Sequence, residues 1–287
     1  MLEKRTLLAN EDYSSVREVC GMTEKEYMGP GTRGLNTSEV EQGSHFLVLG
    51  RTLPIAFMCF LVLADEAIKA IDDDDDRAQK KFPIDCDKLS KESPSGVYVI
   101  KPALSTPVVV YCDMDTEGKG WTVVQRNSIK TEITWLESWT TYKYGFGNVL
   151  QDYWMGNEYI HLLTTQRTYM VRFVLKDKAE KEWYADYDIF SLDNEVNGYT
   201  LRLGRYSGTA GDYLTTFDSG MVHHNMRFST KDKDQDRSGS HCANSYGGWW
   251  YDKCYNALLN GKGYIYWRGI CTGDCSFSKI MVRPSGI

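Results

Sequence analysis

Three aspartates alternate along a polar segment in the last quarter of the chain, Asp232, Asp234 and Asp236, and serine and glycine follow them. If this segment curls into a loop, carboxylate and carbonyl oxygens meet at one point, and such hard ligands suit Ca²⁺. The segment is not an EF-hand, because Arg237 stands where that loop needs glycine and Ala243 where it needs glutamate. From these residues alone, a calcium loop and a solvated charged loop both stay open.

Cysteine is the second residue type that could do chemistry here. The chain has eight cysteines, and an even set lies in its C-terminal part, at positions 86, 112, 242, 254, 271 and 275. Scattered through a segment rich in Trp, Tyr and Gly, such a set is typical of disulfides formed in an oxidising compartment. Buried free thiols are the alternative. Zinc is disfavoured, because Cys271 and Cys275 lack the spacing of a zinc knuckle and His241 alone completes no ligand set.

Composition limits the remaining classes of function. A hydrophobic fraction of 42% and a charged fraction of 25% exclude whole-chain disorder and collagen. The net charge of −6 comes largely from the acidic run 72–76, so nothing favours a nucleic acid or an anionic membrane as partner. The adjacent His223 and His224 raise an enzyme as an alternative, but no nucleophile elbow or Cys/His signature accompanies them.

The N-terminal part divides into three predicted segments: an extension over 1–52, expected to be disordered, an apolar segment over 53–64 and an acidic linker over 65–81. The apolar segment is too short to span a bilayer and fits the core of a signal peptide. Because it begins far from the first Met, three interpretations compete. They are a cleaved signal behind a non-native upstream start, an uncleaved anchor over 46–64, and a buried apolar segment, and we favour the first.

From residue 82 onward, β-branched and aromatic runs alternate with polar turns. The pattern predicts strands over 97–100, 108–111, 121–126, 168–175, 182–190 and 199–203, joined as an antiparallel meander. It also predicts a short helix over 157–163 that is capped by Asn157. Beyond Asp218 the chain is rich in Gly, Asp and Tyr with few regular runs, so disulfides and a metal ion are the available means of holding it.

A series of short motifs occurs in order through this region: DC (85–86), SGVY (95–98), VYCDM (110–114), GWTVVQR (120–126), YGFGN (144–148), WMGNE (154–158), YSGTAGD (206–212), FSTKD (228–232), GWW (248–250), LNG (259–261) and MVRP (281–284). Together they resemble the fibrinogen C-terminal (fibrinogen-related) domain over residues 82–287, in the style of small secreted fibrinogen-like and ficolin-like proteins. The resemblance implies an α+β fold. Its parts are a central twisted antiparallel sheet, short helices and a loop-rich, calcium-binding C-terminal subdomain.

The resemblance also implies pairings and ligands. Carried onto this sequence, the family's disulfides join Cys86 to Cys112 and Cys242 to Cys254, and we expect the additional Cys271 and Cys275 to form a local disulfide. The family's calcium ligands fall on the side chains of Asp234 and Asp236 and on the backbone carbonyls of Ser238 and Ser240. Asp232 is then expected outside the ligand set.

In family members that are lectins, an acetyl group binds beside the calcium loop. The matching positions are the backbone N–H groups of Cys242 and Tyr255 and the side chain of Tyr246, with a cis peptide bond between His241 and Cys242. Three departures indicate a remodelled pocket. The Cys242–Cys254 spacing is one residue shorter than usual, Tyr255 replaces a common histidine, and the segment after Gly261 is shortened.

The expected function is therefore a secreted, extracellular, calcium-stabilised module that recognises an extracellular protein receptor or an acetylated glycan without catalysis. The alternatives are an acetyl-binding lectin of innate immunity and a structural matrix protein that binds no small ligand. Homo-oligomers are also expected among its partners, and Ca²⁺ is the expected cofactor.

Overall fold

The strands form where β-branched and aromatic residues are densest. The structure is a computed structural model that describes residues 82–216 and 221–286, so the predictions for residues 1–81 lie outside the described residues. In the described part the strands are β1 (Gly96–Ile100), β2 (Val108–Asp113), β3 (Trp121–Ser128), β4 (Phe146–Gly147), β5 (Tyr153–Trp154), β6 (Tyr169–Lys176), β7 (Glu182–Leu192), β8 (Leu201–Leu203), β9 (Tyr206–Gly208), β10 (Ala257–Leu258), β11 (Ile265–Trp267), β12 (Cys271–Gly273) and β13 (Phe277–Pro284).

Helices are short in this part of the chain: α1 (Trp139–Tyr144), α2 (Asn157–Thr165) and α3 (Cys242–Tyr246), with 3₁₀ turns at Cys86–Lys88 and Glu195–Asn197. The predicted cap of α2 is wrong by one residue. Gly156 is the N-cap, at a φ of 111°, and a Cβ there would lie 2.8 Å from the carbonyl oxygen of Lys143. Only glycine suits that position. Asn157 is instead the first helical residue, and its Oδ1 accepts a hydrogen bond from Trp154 Nε1 at 3.1 Å.

The main sheet is not a simple meander. Its strand order is β1-β2-β3-β13-β6-β7-β8, with β4, β5 and β9 paired at its sides, and β13 pairs antiparallel with both β3 and β6. The sequence analysis missed β13, because it treated the whole region past Asp218 as irregular. Ile280, Met281 and Val282 are at most 1% exposed, which is the burial expected at the centre of a covered sheet. The α+β class with a central antiparallel sheet is confirmed.

Buried polar side chains connect this sheet to the irregular C-terminal segment. Asn127, on β3, donates from Nδ2 to the carbonyl oxygens of Leu259 at 2.8 Å and Gly261 at 2.9 Å. Gln125 Nε2 lies 3.1 Å from Asn260 Oδ1, and both side chains are fully buried. Because an unmet polar group in the core is costly, these bonds fix where the C-terminal segment lies against the sheet.

Three disulfides hold the described part: Cys86–Cys112, Cys242–Cys254 and Cys271–Cys275. The last one joins the first residue of β12 to Cys275, just beyond the end of that strand, in a second, three-stranded sheet of order β10-β11-β12. No helix within residues 82–216 and 221–286 has the length and apolar character needed to cross a membrane.

Candidate functional site in the acidic loop and tyrosine cluster

The aspartate segment curls as its sequence suggests, and we call residues 232–240 the acidic loop. Asp234 Oδ1 accepts a hydrogen bond from the backbone N–H of Asp236 at 3.3 Å. The two carboxylate oxygens of Asp236 accept from the N–H of Ser238 at 2.8 Å and of Cys242 at 2.9 Å. The carboxylate of Asp236 therefore lies inside the curl, where successive backbone N–H groups converge on it.

Both ends of the acidic loop are held by hydrogen bonds to Ser229 and Thr230. His241 Nε2 donates to the carbonyl oxygen of Thr230 at 2.9 Å, which closes the loop at its base. The backbone N–H groups of Lys233 and Gln235 bond to Thr230 O at 3.0 Å and to Ser229 Oγ at 2.9 Å. These anchors restrict the backbone of an otherwise irregular loop before any ligand binds.

Asp232 faces away from the curl. Its Oδ1 accepts from the backbone N–H of Trp139 at 2.8 Å, at the N-terminus of α1, and from Thr230 Oγ1 at 2.7 Å. Burial opposes ionisation here, but these hydrogen bonds prevail and hold the pKa of Asp232 below its ordinary value. The side chain of Asp232 thus connects the acidic loop to the N-terminus of α1.

Electrostatics inside the curl favour a cation. Burial raises the pKa of Asp236, and the neighbouring carboxylate of Asp234 raises it further, despite the two backbone hydrogen bonds that Asp236 accepts. Two close carboxylates repel each other when both are ionised, and a divalent ion between them removes that repulsion. The donors available are carboxylate and carbonyl oxygens, without thiolate or imidazole, so they fit Ca²⁺. In the described residues no group of three or more His, Cys, Asp or Glu side chains could hold a metal. Inside the curl the only carboxylates are those of Asp234 and Asp236, because Asp232 bonds to Trp139 instead.

An ion pair between the exposed Arg237 and the buried Asp252 connects the acidic loop to the disulfide-closed segment 242–254. Arg237 donates from Nε to Asp252 Oδ1 at 2.7 Å and from its backbone N–H to the carbonyl oxygen of Asp252 at 2.9 Å. The other carboxylate oxygen of Asp252 accepts from the N–H of Val222 at 3.0 Å. The Asp252 side chain is 1% exposed, so it needs this cationic partner.

Five tyrosines beyond this ion pair form what we call the tyrosine cluster: Tyr246, Tyr251, Tyr255, Tyr264 and Tyr266. Tyr255 is central, with ring centroids 5.1 Å from Tyr246, 5.3 Å from Tyr266 and 6.4 Å from both Tyr251 and Tyr264. Its hydroxyl donates to that of Tyr264 at 3.2 Å. Tyr246 is 40% exposed, Tyr255, Tyr264 and Tyr266 are partly exposed, and Tyr251 is buried. The cluster is an amphipathic aromatic surface with buried support.

The sequence analysis missed Tyr264 and Tyr266 as members of this surface. They flank Ile265 at the start of β11, where a partly exposed, buried, partly exposed, buried alternation runs from Tyr264 to Trp267. Their rings are nearly parallel, at 6.3 Å and 4°. The alternation of aromatic and buried residues was the available signal, but the segment was treated only as a shortened loop.

The family model for the C-terminal globular domain of fibrinogen beta and gamma chains matches residues 82–274. The chain belongs to the fibrinogen C-terminal domain family. It is 65% identical over 192 residues to a fibrinogen-like protein 1-like protein of Gallus gallus, covering 66% of this chain and 68% of that protein. It is 45% identical over 187 residues to techylectin-5A of Tachypleus tridentatus, covering 62% of each, so it spans less than two thirds of that relative.

Solved structures agree with the family assignment. The fibrinogen-like globe domain of human ANGPTL2 has a TM-score of 0.64 and 33% identity, covering 71% of this chain and 99% of that chain. Lamprey fibrin D-dimer, solved in complex with the peptide Gly-His-Arg-Pro-amide, has a TM-score of 0.67 and 25% identity, with coverages of 96% and 95%.

One feature implied for lectins of the fibrinogen C-terminal family is absent here. The described residues contain no cis peptide bond, so the expectation at His241–Cys242 is wrong. The N–H of Cys242 donates to Asp236 Oδ2 at 2.9 Å rather than pointing toward Tyr246 and Tyr255. In this arrangement Cys242 supports the acidic loop.

The paired histidines of this fibrinogen-related chain have structural partners. His223 is fully buried, and its Nδ1 donates to the carbonyl oxygen of Trp250 at 2.8 Å. Its Nε2 accepts from the N–H groups of Asn256 at 3.0 Å and Ala257 at 3.2 Å, so both nitrogens are used. Burial lowers the pKa of His223 to about 4. His224 Nδ1 accepts from the N–H of Leu203 at 3.0 Å. Neither geometry exposes a general base.

Proposed function

We propose that this chain is a secreted, calcium-stabilised recognition module that binds an extracellular protein without catalysis. The observation that carries the proposal is the tyrosine cluster. It presents partly exposed aromatic rings on a support tied to the acidic loop through Arg237 and Asp252. Tyrosine suits such a surface, because it supplies a large contact area, a polar hydroxyl and little conformational entropy to lose. The peptide complex of lamprey fibrin supports a protein or peptide ligand for a related fold.

Calcium is proposed as the resident ion. The side chains of Asp234 and Asp236 and the carbonyls of Ser238 and Ser240 would hold it, and its chemistry is to neutralise the two carboxylates and fix the loop. Two carboxylates with carbonyls and water are typical of extracellular modules, whose dissociation constants are about 10⁻⁴ to 10⁻³ M. The Arg237–Asp252 pair then connects the ordered loop to the segment that ends at Cys254 and Tyr255, so that fixing the loop also restricts this segment.

Secretion is supported by the disulfides. Three of them in the described part suit an oxidising compartment and are rare in the cytosol. The proposal therefore places the chain outside the cell.

An acetylated-glycan lectin is the second proposed function, favoured by the similarity to techylectin-5A. The direction of the Cys242 N–H argues against it, since that donor already bonds Asp236 Oδ2. A structural matrix protein without a small ligand is the remaining alternative, and partly exposed rings as closely grouped as these favour recognition over it.

A binding experiment on the purified chain distinguishes the protein-binding module from the lectin. We expect no retention on N-acetylglucosamine resin, and calcium-dependent binding to a member of an array of extracellular receptor domains. That binding should fall at least tenfold for Tyr246→Ala combined with Tyr255→Ala and should persist for Tyr144→Ala, an exposed tyrosine at the end of α1 and outside the cluster. Retention on the resin that EDTA abolishes would favour the lectin. Binding that survives the double substitution would reject the tyrosine cluster as the recognition surface.

A further inference from the structure

The two edges of the main sheet differ in how they are protected. At one edge, the segment 223–226 covers β8. Leu201 donates its N–H to the carbonyl oxygen of Met226 at 3.0 Å, its own carbonyl accepts from Asn225 N at 2.8 Å, and Leu203 donates to His224 Nδ1 at 3.0 Å. At the other edge, β1 pairs with β2 alone within the part of the chain that the structure describes.

The free side of β1 presents the backbone groups of Val97 and Val99. Register pairs Tyr98 with Val110 and Ile100 with Val108, and the next residue, Lys101, donates its N–H outward to the carbonyl oxygen of Pro83 at 2.8 Å. Because backbone groups alternate along a strand, Val97 and Val99 share the outward direction of Lys101. Two residues therefore offer N–H and C=O groups that no described residue meets.

The side chains around this edge are unusually apolar for a surface. β1 has the sequence GVYVI and carries no charge, proline or bulge, the devices that usually keep edge strands apart. Val97 is 42% exposed, Val109 on β2 is 49% exposed, and Leu104 in the connecting turn is 96% exposed. Three of the nine large hydrophobic residues exposed in the described part thus belong to this one hairpin.

The edge is also complementary to itself. Val97, Tyr98 and Val99 are symmetric about Tyr98. Two antiparallel copies centred on Tyr98 set each Val97 opposite a Val99 of the other copy, and these are the residues whose backbone groups point outward. No like charges meet across the seam, and the valines of both copies lie on one face together with Val109. The occupant that fits this edge is therefore a second copy of the chain.

We propose that β1 pairs with β1 of a second copy about a twofold axis at Tyr98, which joins the two main sheets into one continuous sheet. Each copy contributes the same short edge, so the dimer forms reversibly and its population rises with protein concentration. If the proposed recognition function holds, one particle would then present two tyrosine clusters.

A charge exchange tests this proposal with the full chain. One variant carries Val97→Lys and Val99→Lys, and the other carries Val97→Glu and Val99→Glu. Each places like charges opposite each other in a homodimer, whereas a mixture places Lys opposite Glu. In analytical ultracentrifugation we expect the wild-type chain to move from monomer toward dimer as concentration rises, each variant alone to lose the dimer, and the equimolar mixture to recover it.

The control is Ile189→Lys, since Ile189 is 46% exposed on β7, which lies inside the sheet between β6 and β8. This variant should dimerise like wild type, and recovery in the mixture shows that the edge variants are folded. The proposal is overturned if the wild-type chain stays monomeric at every concentration or if the mixture fails to re-form a dimer. A dimer that resists sodium dodecyl sulfate without reductant is a disulfide-linked species, and it would overturn the proposal too.

Discussion

Asp236 concentrates the chemistry of the acidic loop in one side chain. Its oxygens accept hydrogen bonds from the N–H groups of Ser238 and Cys242, so this carboxylate is positioned before a cation arrives. Burial, together with the neighbouring Asp234, raises its pKa. Positioning of this kind lowers the entropy that binding must overcome. The loop's sequence showed the spacing of its aspartates but not that Cys242 turns its N–H toward Asp236.

Removing both carboxylates should matter only when calcium is present. For Asp234→Ala with Asp236→Ala, we expect a lower melting temperature than wild type in calcium and no comparable loss in EDTA. At a hundredfold excess of the ion over its dissociation constant, binding stabilises the fold by about 2.7 kcal/mol. Differential scanning fluorimetry measures both conditions. The control is Asp188→Ala, which removes the partly exposed ion pair with Arg205 and should shift the melting temperature equally with and without calcium. Equal shifts with and without calcium would exclude a metal at these residues.

His223 predicts a loss of stability in acid. Its pKa is lowered from 6.5 to about 4 in the folded chain, so the unfolded chain binds more protons between those values. Its contribution is complete above pH 6.5 and declines as the pH falls toward about 4, up to about 3 kcal/mol in total. In urea titrations across this range, His223→Gln should show a shallower pH dependence than wild type. The same slope in both proteins would show that His223 is not the group responsible. Burial also lowers the pKa of His224, so His224→Gln should reduce the pH dependence less than His223→Gln does.

At the scale of elements, the β11–β12 hairpin determines where two of the tyrosines lie. Its strands contain only three residues each, and Gly273, at a φ of 106°, lets the ring of Tyr264 pack against the backbone. A Cβ at Gly273 would lie 2.2 Å from that ring. So few ladder bonds hold a hairpin weakly, and the Cys271–Cys275 disulfide restrains β12 and the residues that follow it, so we expect it to help hold the hairpin.

Replacing both cysteines of that disulfide should loosen the tyrosine cluster. For Cys271→Ser with Cys275→Ser, the chain-entropy model gives a loss of about 2 kcal/mol for so short a closed loop. We expect faster amide hydrogen exchange at residues 264–267, with exchange in β6 unchanged. Hydrogen exchange followed by mass spectrometry resolves the two regions. Unchanged protection in the hairpin would mean that packing around Ile265 and Trp267, rather than the disulfide, holds it.

At the scale of the whole molecule, the sequence predicted what depends on local patterns. The strands β1, β2, β3, β6 and β7 appear within two residues of their predicted starts, because alternating burial is a local property. Family motifs identified the fold. Long-range placement was not predictable in the same way, and β13 shows why. Its burial comes from pairing with β3 and β6, whose partners a short window cannot reveal.

In the candidate site, too, the features set by local sequence could be predicted and those that depend on long-range contacts could not. The acidic loop and the cysteine pairs could be identified from spacing and family resemblance. The tyrosine cluster, the Arg237–Asp252 pair and the roles of Gln125 and Asn127 could not, because each depends on residues brought together from distant positions. A buried amide on β3 looks like any polar residue in a strand until its partner at Leu259 is in place.

The central position of β13 has a consequence for biosynthesis. During translation, β3 and β6 leave the ribosome long before the strand that must enter between them, and the growing polypeptide carries two open sheet flanks until Phe277–Pro284 emerges. Both flanks must stay unpaired until that strand arrives, and a chain truncated before residue 277 would lack the strand that joins β3 to β6.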